Sequence, residues 1–278
     1  MKYLFAGLLI TLAVGLSSPA MALSDGRAAT RFSLQEAADF SKYIEYELAY
    51  RGAHVAIVYR SDDAFDSLPG HVPYSHASFW VYTPIDAADG RTLYGYTVFN
   101  LYHRVDRPGE SYLVQDWPLN FARSDVTGRV GVIVPLPEMQ NRILDVMASP
   151  IYEDLHNPDY SLISNPNDLR LQNSTEFVLD VVSSAAWEID AERERIKVNI
   201  NAYFDPTELA FSGWDRFAAP LFNPALRLDD QGDDVQMADF RSMSEFMSVY
   251  NLAQAVFELE STAIASAGAS VPTASSHQ

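Results

Sequence analysis

Apolar residues recur at helical spacing directly after a capping motif in the first part of the chain. Ser33 and Glu36 have the spacing at which each side chain bonds the backbone N–H of the other residue and closes the start of a helix. The apolar residues that follow are three or four positions apart: Ala37, Phe40, Ile44 and Leu48. This pattern predicts one amphipathic helix that ends near Tyr50.

Short runs rich in β-branched and aromatic residues come next. They predict strands over residues 54–60, 76–83, 93–102, 111–114 and 129–134. Turn-forming pairs such as Asp89-Gly90 and Pro108-Gly109 separate several of these runs. We therefore expect a mostly antiparallel sheet.

Helical spacing returns after the last of these strands. Pro137 suits the first turn of a helix that runs to Met147, and a second helix is predicted from about Asn173 to Trp187. No definite element is predicted beyond Glu188, and the Ala- and Ser-rich residues 261–278 are expected to form a disordered tail. The fold class is therefore α+β: an antiparallel sheet packed against helices in a single domain over residues 23–260, with a C-terminal extension.

The first 22 residues have the composition of a secretory signal peptide. Lys2 precedes an apolar stretch, and Ala20-Met21-Ala22 supplies the small residues of a cleavage site. Cleavage after Ala22 predicts a periplasmic or secreted protein. The mature chain contains no apolar run long enough for a transmembrane span, so we expect none.

Charge and cysteine content exclude several classes of function. The chain has 37 acidic and 19 basic residues, a formal net charge of −18, and no cysteine. A surface of this charge repels nucleic acid and anionic membranes, so we expect neither as a partner. Without cysteine there is no disulfide, thiolate zinc site or cysteine nucleophile. No metal ion or other cofactor is predicted, and the oligomeric state does not follow from the sequence.

An acidic loop and four histidines support weaker hypotheses about metal binding and structure. The acidic loop 229–234 offers oxygen ligands for calcium without the spacing of an EF-hand, which leaves a calcium-stabilised adhesion module as one alternative function. His71 and His76 are close in sequence but lack a usual zinc-ligand spacing. His54 and His156 are interpreted as structural hydrogen-bonding residues.

Two separate segments pair a histidine at a strand start with a serine at a helix start. Tyr74-Ser75-His76-Ala77 opens a predicted strand, and Gln172-Asn173-Ser174 opens a predicted helix. This order resembles that of the permuted NlpC/P60 hydrolases and the lecithin:retinol acyltransferase relatives. The region 51–250 more closely resembles an uncharacterised bacterial family, domain of unknown function 2145. That likeness also rests on three further runs: Val134-Pro135-Leu136-Pro137, Leu155-His156 and Tyr160-Ser161-Leu162.

The resemblance implies a permuted papain-like core with Ser174 in the nucleophile position. His76 is then the general base, and Asn100 on the following strand orients the imidazole, with His103 as a less favoured choice. The residue types suit these roles. A helix N-terminus stabilises developing negative charge, and an ordinary histidine with a pKa of about 6.5 is largely neutral at neutral pH.

The remaining implied roles concern substrate. Gln172 or Asn173 would donate to an oxyanion, and Tyr160 would contact the substrate. The implied reaction is hydrolysis or acyl transfer at an amide, ester or thioester bond. Secretion makes cell-envelope peptides or lipids available as substrates.

The same residues also have a structural interpretation. Asn173 and Ser174 are both good residues for capping a helix. Replacement of a thiol by a hydroxyl in a thiolate–imidazolium site normally removes most of the reactivity. The alternative function is therefore a non-catalytic cell-envelope binding or scaffold protein on the same fold.

Overall fold

The computed structural model describes residues 32–61, 72–87, 89–190 and 192–262. The predicted signal peptide, His71 and residues 263–278 of the predicted tail lie outside the described residues. The helices in the described ranges are α1 (Leu34–Tyr50), α2 (Pro118–Arg123), α3 (Pro137–Met147), α4 (Ile151–Asp154), α5 (Ser174–Trp187), α6 (Arg193–Tyr203), α7 (Gly213–Phe222) and α8 (Phe240–Val249). The strands are β1 (Val55–Arg60), β2 (His76–Asp86), β3 (Thr92–His103), β4 (Ser111–Asp116), β5 (Arg129–Pro135), β6 (Thr207–Leu209), β7 (Val235–Met237) and β8 (Ala253–Glu260).

Six of the strands form one antiparallel sheet in the order β4-β3-β2-β1-β5-β8. The predicted α+β class, with an antiparallel sheet packed against helices, is confirmed. β8 comes from the region for which the sequence predicts no definite element, and it extends the sheet at the β5 edge. β6 and β7 form a separate antiparallel pair.

Alternation of side chains along the strands gives the sheet two apolar faces. On one face, Val58 and Trp80 belong to a core that includes Phe40 of α1 and Phe121 of α2. On the other face, Phe79 belongs to a larger core that includes residues of α3 and α5. The helices α1 and α2 therefore lie on one side of the sheet, and α3 and α5 lie on the other.

The helices predicted from residue spacing have the expected bounds. At the start of α1, the Ser33 hydroxyl accepts the Glu36 N–H at 3.2 Å and the Glu36 carboxylate accepts the Ser33 N–H at 2.8 Å, which confirms the capping box. α3 has its predicted bounds, and α5 begins one residue after its predicted start. Within the described residues, no helix has both the length and the apolar character needed to cross a membrane.

Gly131 in β5 allows an aromatic ring to pack directly on the backbone of the sheet. A Cβ atom at this position would lie 2.8 Å from Cε2 of Phe240, well inside ordinary van der Waals contact. The Phe240 ring also packs against the rings of Tyr59 and Tyr74, with centroid distances of 5.3 and 5.2 Å. The absence of a side chain at residue 131 thus lets α8 approach the sheet.

Replacement of Gly131 by alanine should destabilise the fold. The new methyl group must displace the Phe240 ring, and overpacking of this kind costs about 1–3 kcal/mol. Gly109→Ala is the matched control, because a Cβ atom there would meet nothing within 4 Å. Urea denaturation of both variants measures the effect, and equal free energies of unfolding for the two would contradict this account of α8 packing.

Candidate functional site

The candidate site lies where β2 and β3 separate. Their pairing ends with Ser78 opposite Asn100, although β2 begins two residues earlier at His76 and β3 continues to His103. Beyond this pair, the Ala77 N–H donates to the Ser174 hydroxyl at 3.3 Å. The β2–β3 gap, defined here as the space beyond the Ser78–Asn100 pair, therefore receives the first residue of α5.

Asn173 fixes the start of α5 as its N-cap. Its side-chain oxygen accepts the Glu176 N–H at 2.9 Å and the Thr175 hydroxyl at 2.8 Å. Its side-chain amide donates to the Leu162 carbonyl at 2.9 Å. The predicted capping role of Asn173 is confirmed, and it sets Ser174 in the first helical turn, where backbone N–H groups have no partner within the helix.

His76 is held by a neighbouring strand and by aromatic rings. Its Nε2 lies 3.0 Å from Oδ1 of Asn100. In the tautomer with the proton on Nε2, the Asn100 oxygen accepts this hydrogen bond and Nδ1 holds the lone pair. The imidazole stacks on Tyr102 with a centroid distance of 5.1 Å and lies 6.1 Å from the Phe121 ring. Asn100 thus contacts the imidazole, and its role in orienting the imidazole for catalysis stays a prediction.

Burial keeps His76 neutral. The imidazole is removed from solvent, and this desolvation lowers the pKa of His76 well below its ordinary value. The positive charge of Arg60 lowers the pKa further, and the bond to Asn100 opposes both effects. His76 is therefore a neutral imidazole at neutral pH.

His76 and Ser174 reach the β2–β3 gap from opposite sides of the sheet. Side chains alternate along a strand, so His76 shares a face with Trp80 and contacts Phe121, whereas α5 packs on the face that carries Ala77. Within the described residues, no hydrogen bond joins Ser174 to the imidazole. The structure brings both groups to one gap, and a direct serine–histidine bond stays a prediction.

The side chain of Gln172 is buried and hydrogen-bonded to other parts of the protein. Its amide donates to the Leu155 carbonyl at 3.1 Å and to the Asp180 carboxylate at 2.8 Å, and its side-chain oxygen accepts the Asn157 N–H at 2.8 Å. These bonds use both N–H groups of the amide. The predicted oxyanion role of Gln172 would need one of these bonds to break.

Tyr160 lies beside the same segment. A parallel β-bridge pairs it with Gln172, and its ring stacks on His103 with a centroid distance of 5.3 Å. His103, the less favoured orienting residue, thus contacts Tyr160, whereas Asn100 contacts His76. The role of Tyr160 in substrate contact stays a prediction.

A buried ionic cluster, which the sequence analysis missed, lies between α5 and α6. Lys197 donates to the Glu176 carboxylate at 2.6 Å and to the Asp180 carboxylate at 2.8 Å, and Arg193 lies 3.4 Å from both carboxylates. Burial, with the charge of Asp180, raises the pKa of Glu176 to about 7, while Lys197 opposes the rise. The spacing of four residues within each charged pair was a usable signal, because it places both members on one helix face.

A cleft of about 540 Å³ opens beside this cluster. Most of its lining residues are charged or polar, and Pro158 and Leu169 complete the lining: Asp154, His156, Asn157, Asp159, Arg170, Arg193, Arg227 and Asp229. The lining includes none of the six predicted site residues. Within the described residues, no group of His, Asp and Glu side chains has the arrangement of a metal site.

Removal of the ammonium group from the ionic cluster should strongly destabilise the protein. Lys197→Met leaves Glu176 and Asp180 buried without their closest cation, and breaking a buried ion pair costs about 3–5 kcal/mol. Lys42→Met is the control, because Lys42 has a side chain that is 76% exposed in its pair with Glu45 and should contribute less than about 1 kcal/mol. Denaturant titration at pH 7 compares them, and a loss below about 1 kcal/mol for Lys197→Met would refute the role of the cluster.

His156 should make folding less favourable as the pH falls. Its Nε2 lies 2.8 Å from the Ser111 hydroxyl, and burial, helped by Arg193, lowers its pKa to about 4. Between the ordinary pKa of about 6.5 and this value, the unfolded chain binds a proton that the native chain does not, so stability falls with decreasing pH. His156→Gln should flatten that part of the stability curve, whereas His54→Gln at a solvent-exposed site should not. Identical pH slopes for the parent and His156→Gln proteins would contradict this assignment.

Comparison with known proteins places the chain in a family. The family model described as "Uncharacterized protein conserved in bacteria (DUF2145)" matches residues 47–252. No curated protein and no solved structure gives a significant match. The resemblance to papain-like proteins stays a prediction. Because the matched region covers most of the chain, the protein belongs to the bacterial family called domain of unknown function 2145.

Proposed function

We propose that this protein is an acyl-transfer enzyme on a permuted papain-like core, with Ser174 as nucleophile and His76 as its base. One observation carries the proposal: Asn100 holds the imidazole of His76 at 3.0 Å, while Ser174 is bonded to the backbone of the next residue, Ala77. The strand that carries the base precedes the helix that carries the nucleophile, as the proposed permuted core requires.

The environment of Ser174 favours an alkoxide at that position. The Ala77 N–H donates to its hydroxyl oxygen, and the residue stands at the positive end of the α5 dipole. In the reaction, Ser174 Oγ forms a bond to the carbonyl carbon of an amide, ester or thioester, and its proton passes to the imidazole of His76. The bond to the leaving group breaks, the leaving group takes this proton, and water or a second acceptor then receives the acyl group.

The oxyanion of this reaction is best placed at the first turn of α5. The backbone N–H groups of Ser174 and Thr175 have no acceptor within the helix, which leaves them suited to a developing negative charge. Gln172 is less suited, because both N–H groups of its side chain already have acceptors. Cell-envelope peptides or lipids are the proposed substrates, on the basis of the predicted signal peptide.

A second candidate function is non-catalytic binding on the same fold. It is favoured by the burial of both reacting groups, since Ser174 is 4% and His76 is 5% exposed. The cleft of about 540 Å³ lies on neighbouring loops and not at either residue. In this view Ser174 serves to satisfy the Ala77 N–H.

A fluorophosphonate probe tests the proposal directly. Attack by Ser174 Oγ on phosphorus expels fluoride and leaves a stable adduct, which mass spectrometry locates. We expect labelling of the parent protein and no labelling of Ser174→Ala or His76→Gln. The labelling rate of Asn100→Ala should fall strongly, since loss of the orienting group of a serine–histidine–aspartate triad costs up to roughly 10⁴-fold. Because His76 stays neutral, the labelling rate should not fall between pH 8 and pH 6.

Ser183→Ala provides the matched control. Ser183 lies on the same helix, and its buried hydroxyl has no hydrogen-bond partner within the described residues. Its removal should leave labelling unchanged. Folding of every variant is checked by circular dichroism. An unlabelled parent protein, or a Ser174→Ala protein that still reacts, would end the catalytic proposal and favour binding.

A further inference from the structure

Helix α7 turns its large apolar side chains away from the protein. Ser212 caps the helix in a capping box with Asp215, and Ala218 and Ala219 lie on the side that meets the core. The large residues are strongly exposed: Trp214 by 71%, Phe217 by 65%, Leu221 by 68% and Phe222 by 87%. Intervals of three and four residues place the first three of these on one face of the helix.

The exposed area is large for a monomer and small for a protein interface. An aromatic side chain has about 150–250 Å² of surface, so these four side chains together expose on the order of 500 Å². This value is near the upper end for the largest apolar patch on a typical soluble monomer, about 300–600 Å². A stable protein–protein interface needs about 800 Å² from each partner, which the helix does not supply.

The shape and composition of the patch match a lipid surface. Side chains that are about two thirds or more exposed project from the protein and do not line a groove. A rigid protein partner would need a complementary pocket for each of them, whereas lipid adapts to a projecting group. Tryptophan together with Phe and Leu on one face of a short helix is typical of helices that lie in the membrane interface.

We propose that α7 docks the protein on a bilayer of zwitterionic lipids, with Trp214, Phe217, Leu221 and Phe222 inserted at the headgroup boundary. The surrounding charge selects this lipid class. Arg216 of α7 bonds the carbonyls of Gly232 and Asp233, which brings the acidic loop 229–234 beside the helix. The formal net charge of the chain is −18. An anionic bilayer would repel such a surface, and a zwitterionic one does not.

The docking helix is connected to the candidate site, although this inference does not depend on the proposed function. The Ala225 carbonyl, shortly after α7, accepts the Leu162 N–H at 2.9 Å, and the Leu162 carbonyl accepts from Asn173 at the start of α5. A protein docked through α7 would thus hold this loop near the lipid surface.

Vesicle flotation with the full chain tests the proposal. We expect the protein to float with phosphatidylcholine vesicles and to bind less when phosphatidylglycerol replaces part of the lipid. A Phe217→Ser/Phe222→Ser variant should lose at least about 10-fold in vesicle partitioning, since burial of each aromatic side chain contributes more than 1 kcal/mol. Brominated lipid should quench part of the tryptophan emission of the parent protein, because Trp214 enters the bilayer.

Tyr46→Ser/Tyr50→Ser is the matched control, because these tyrosines on α1 are 65% and 76% exposed. This variant should partition like the parent. Failure of the parent protein to float, or equal flotation of the α7 variant, would overturn the proposal. A dimer in analytical ultracentrifugation without vesicles that dissociates in the α7 variant would also overturn it, in favour of a second copy as the occupant.

Discussion

The early end of the β2–β3 ladder is the constraint on which the candidate site depends. Once β3 diverges beyond Asn100, the Ala77 N–H has no strand partner, and a buried N–H without an acceptor is costly. The Ser174 hydroxyl provides that acceptor. The same divergence lets His76 reach across to the Asn100 side chain. A single break in the sheet thus anchors α5 through Ser174 and permits the His76–Asn100 contact.

The position of Ser174 also depends on charges buried behind it. Glu176 and Asp180 on α5 share Lys197 from α6, and Asp180 in turn accepts a hydrogen bond from the Gln172 side chain. These bonds fix the first two turns of α5 against rotation. They also hold Gln172, which lies just before the helix, against Asp180. Two buried carboxylates can lie close together only because neighbouring cations compensate their negative charge. The cluster therefore serves the site without belonging to it.

The sequence predicts the regular part of this fold well, because local signals determine it. Capping residues set the starts of α1 and α5, and runs rich in β-branched and aromatic residues predicted the first five strands. β8 was not predicted, although it extends the sheet, since its pairing with β5 joins residues far apart in sequence. Within β8, Val256 is the one β-branched residue and Phe257 the one aromatic residue, so the segment lacks the composition that predicted the earlier strands.

The candidate site was predictable in part. The His76–Asn100 contact followed from the resemblance, because adjacent antiparallel strands bring those positions together. The use of Gln172 as a structural donor depends on Leu155 and Asp180, which no local pattern connects to it. The exposed face of α7 illustrates the same limit. Its spacing is visible in the sequence, but only the fold reveals that the apolar side faces outward.

The acidity of a cysteine placed at residue 174 tests the central claim, that Ser174 and His76 act as a pair across the β2–β3 gap. The chain has no other cysteine, so the alkylation rate of Ser174→Cys reports on one thiol. Pairing with His76 and the N-terminus of α5 predicts a thiol pKa well below about 8.5, which should rise when His76→Gln is added. Ser248→Cys, at an exposed site on α8, gives the ordinary thiol for reference. A Ser174→Cys thiol with the reference pKa, unchanged by loss of His76, would contradict the account.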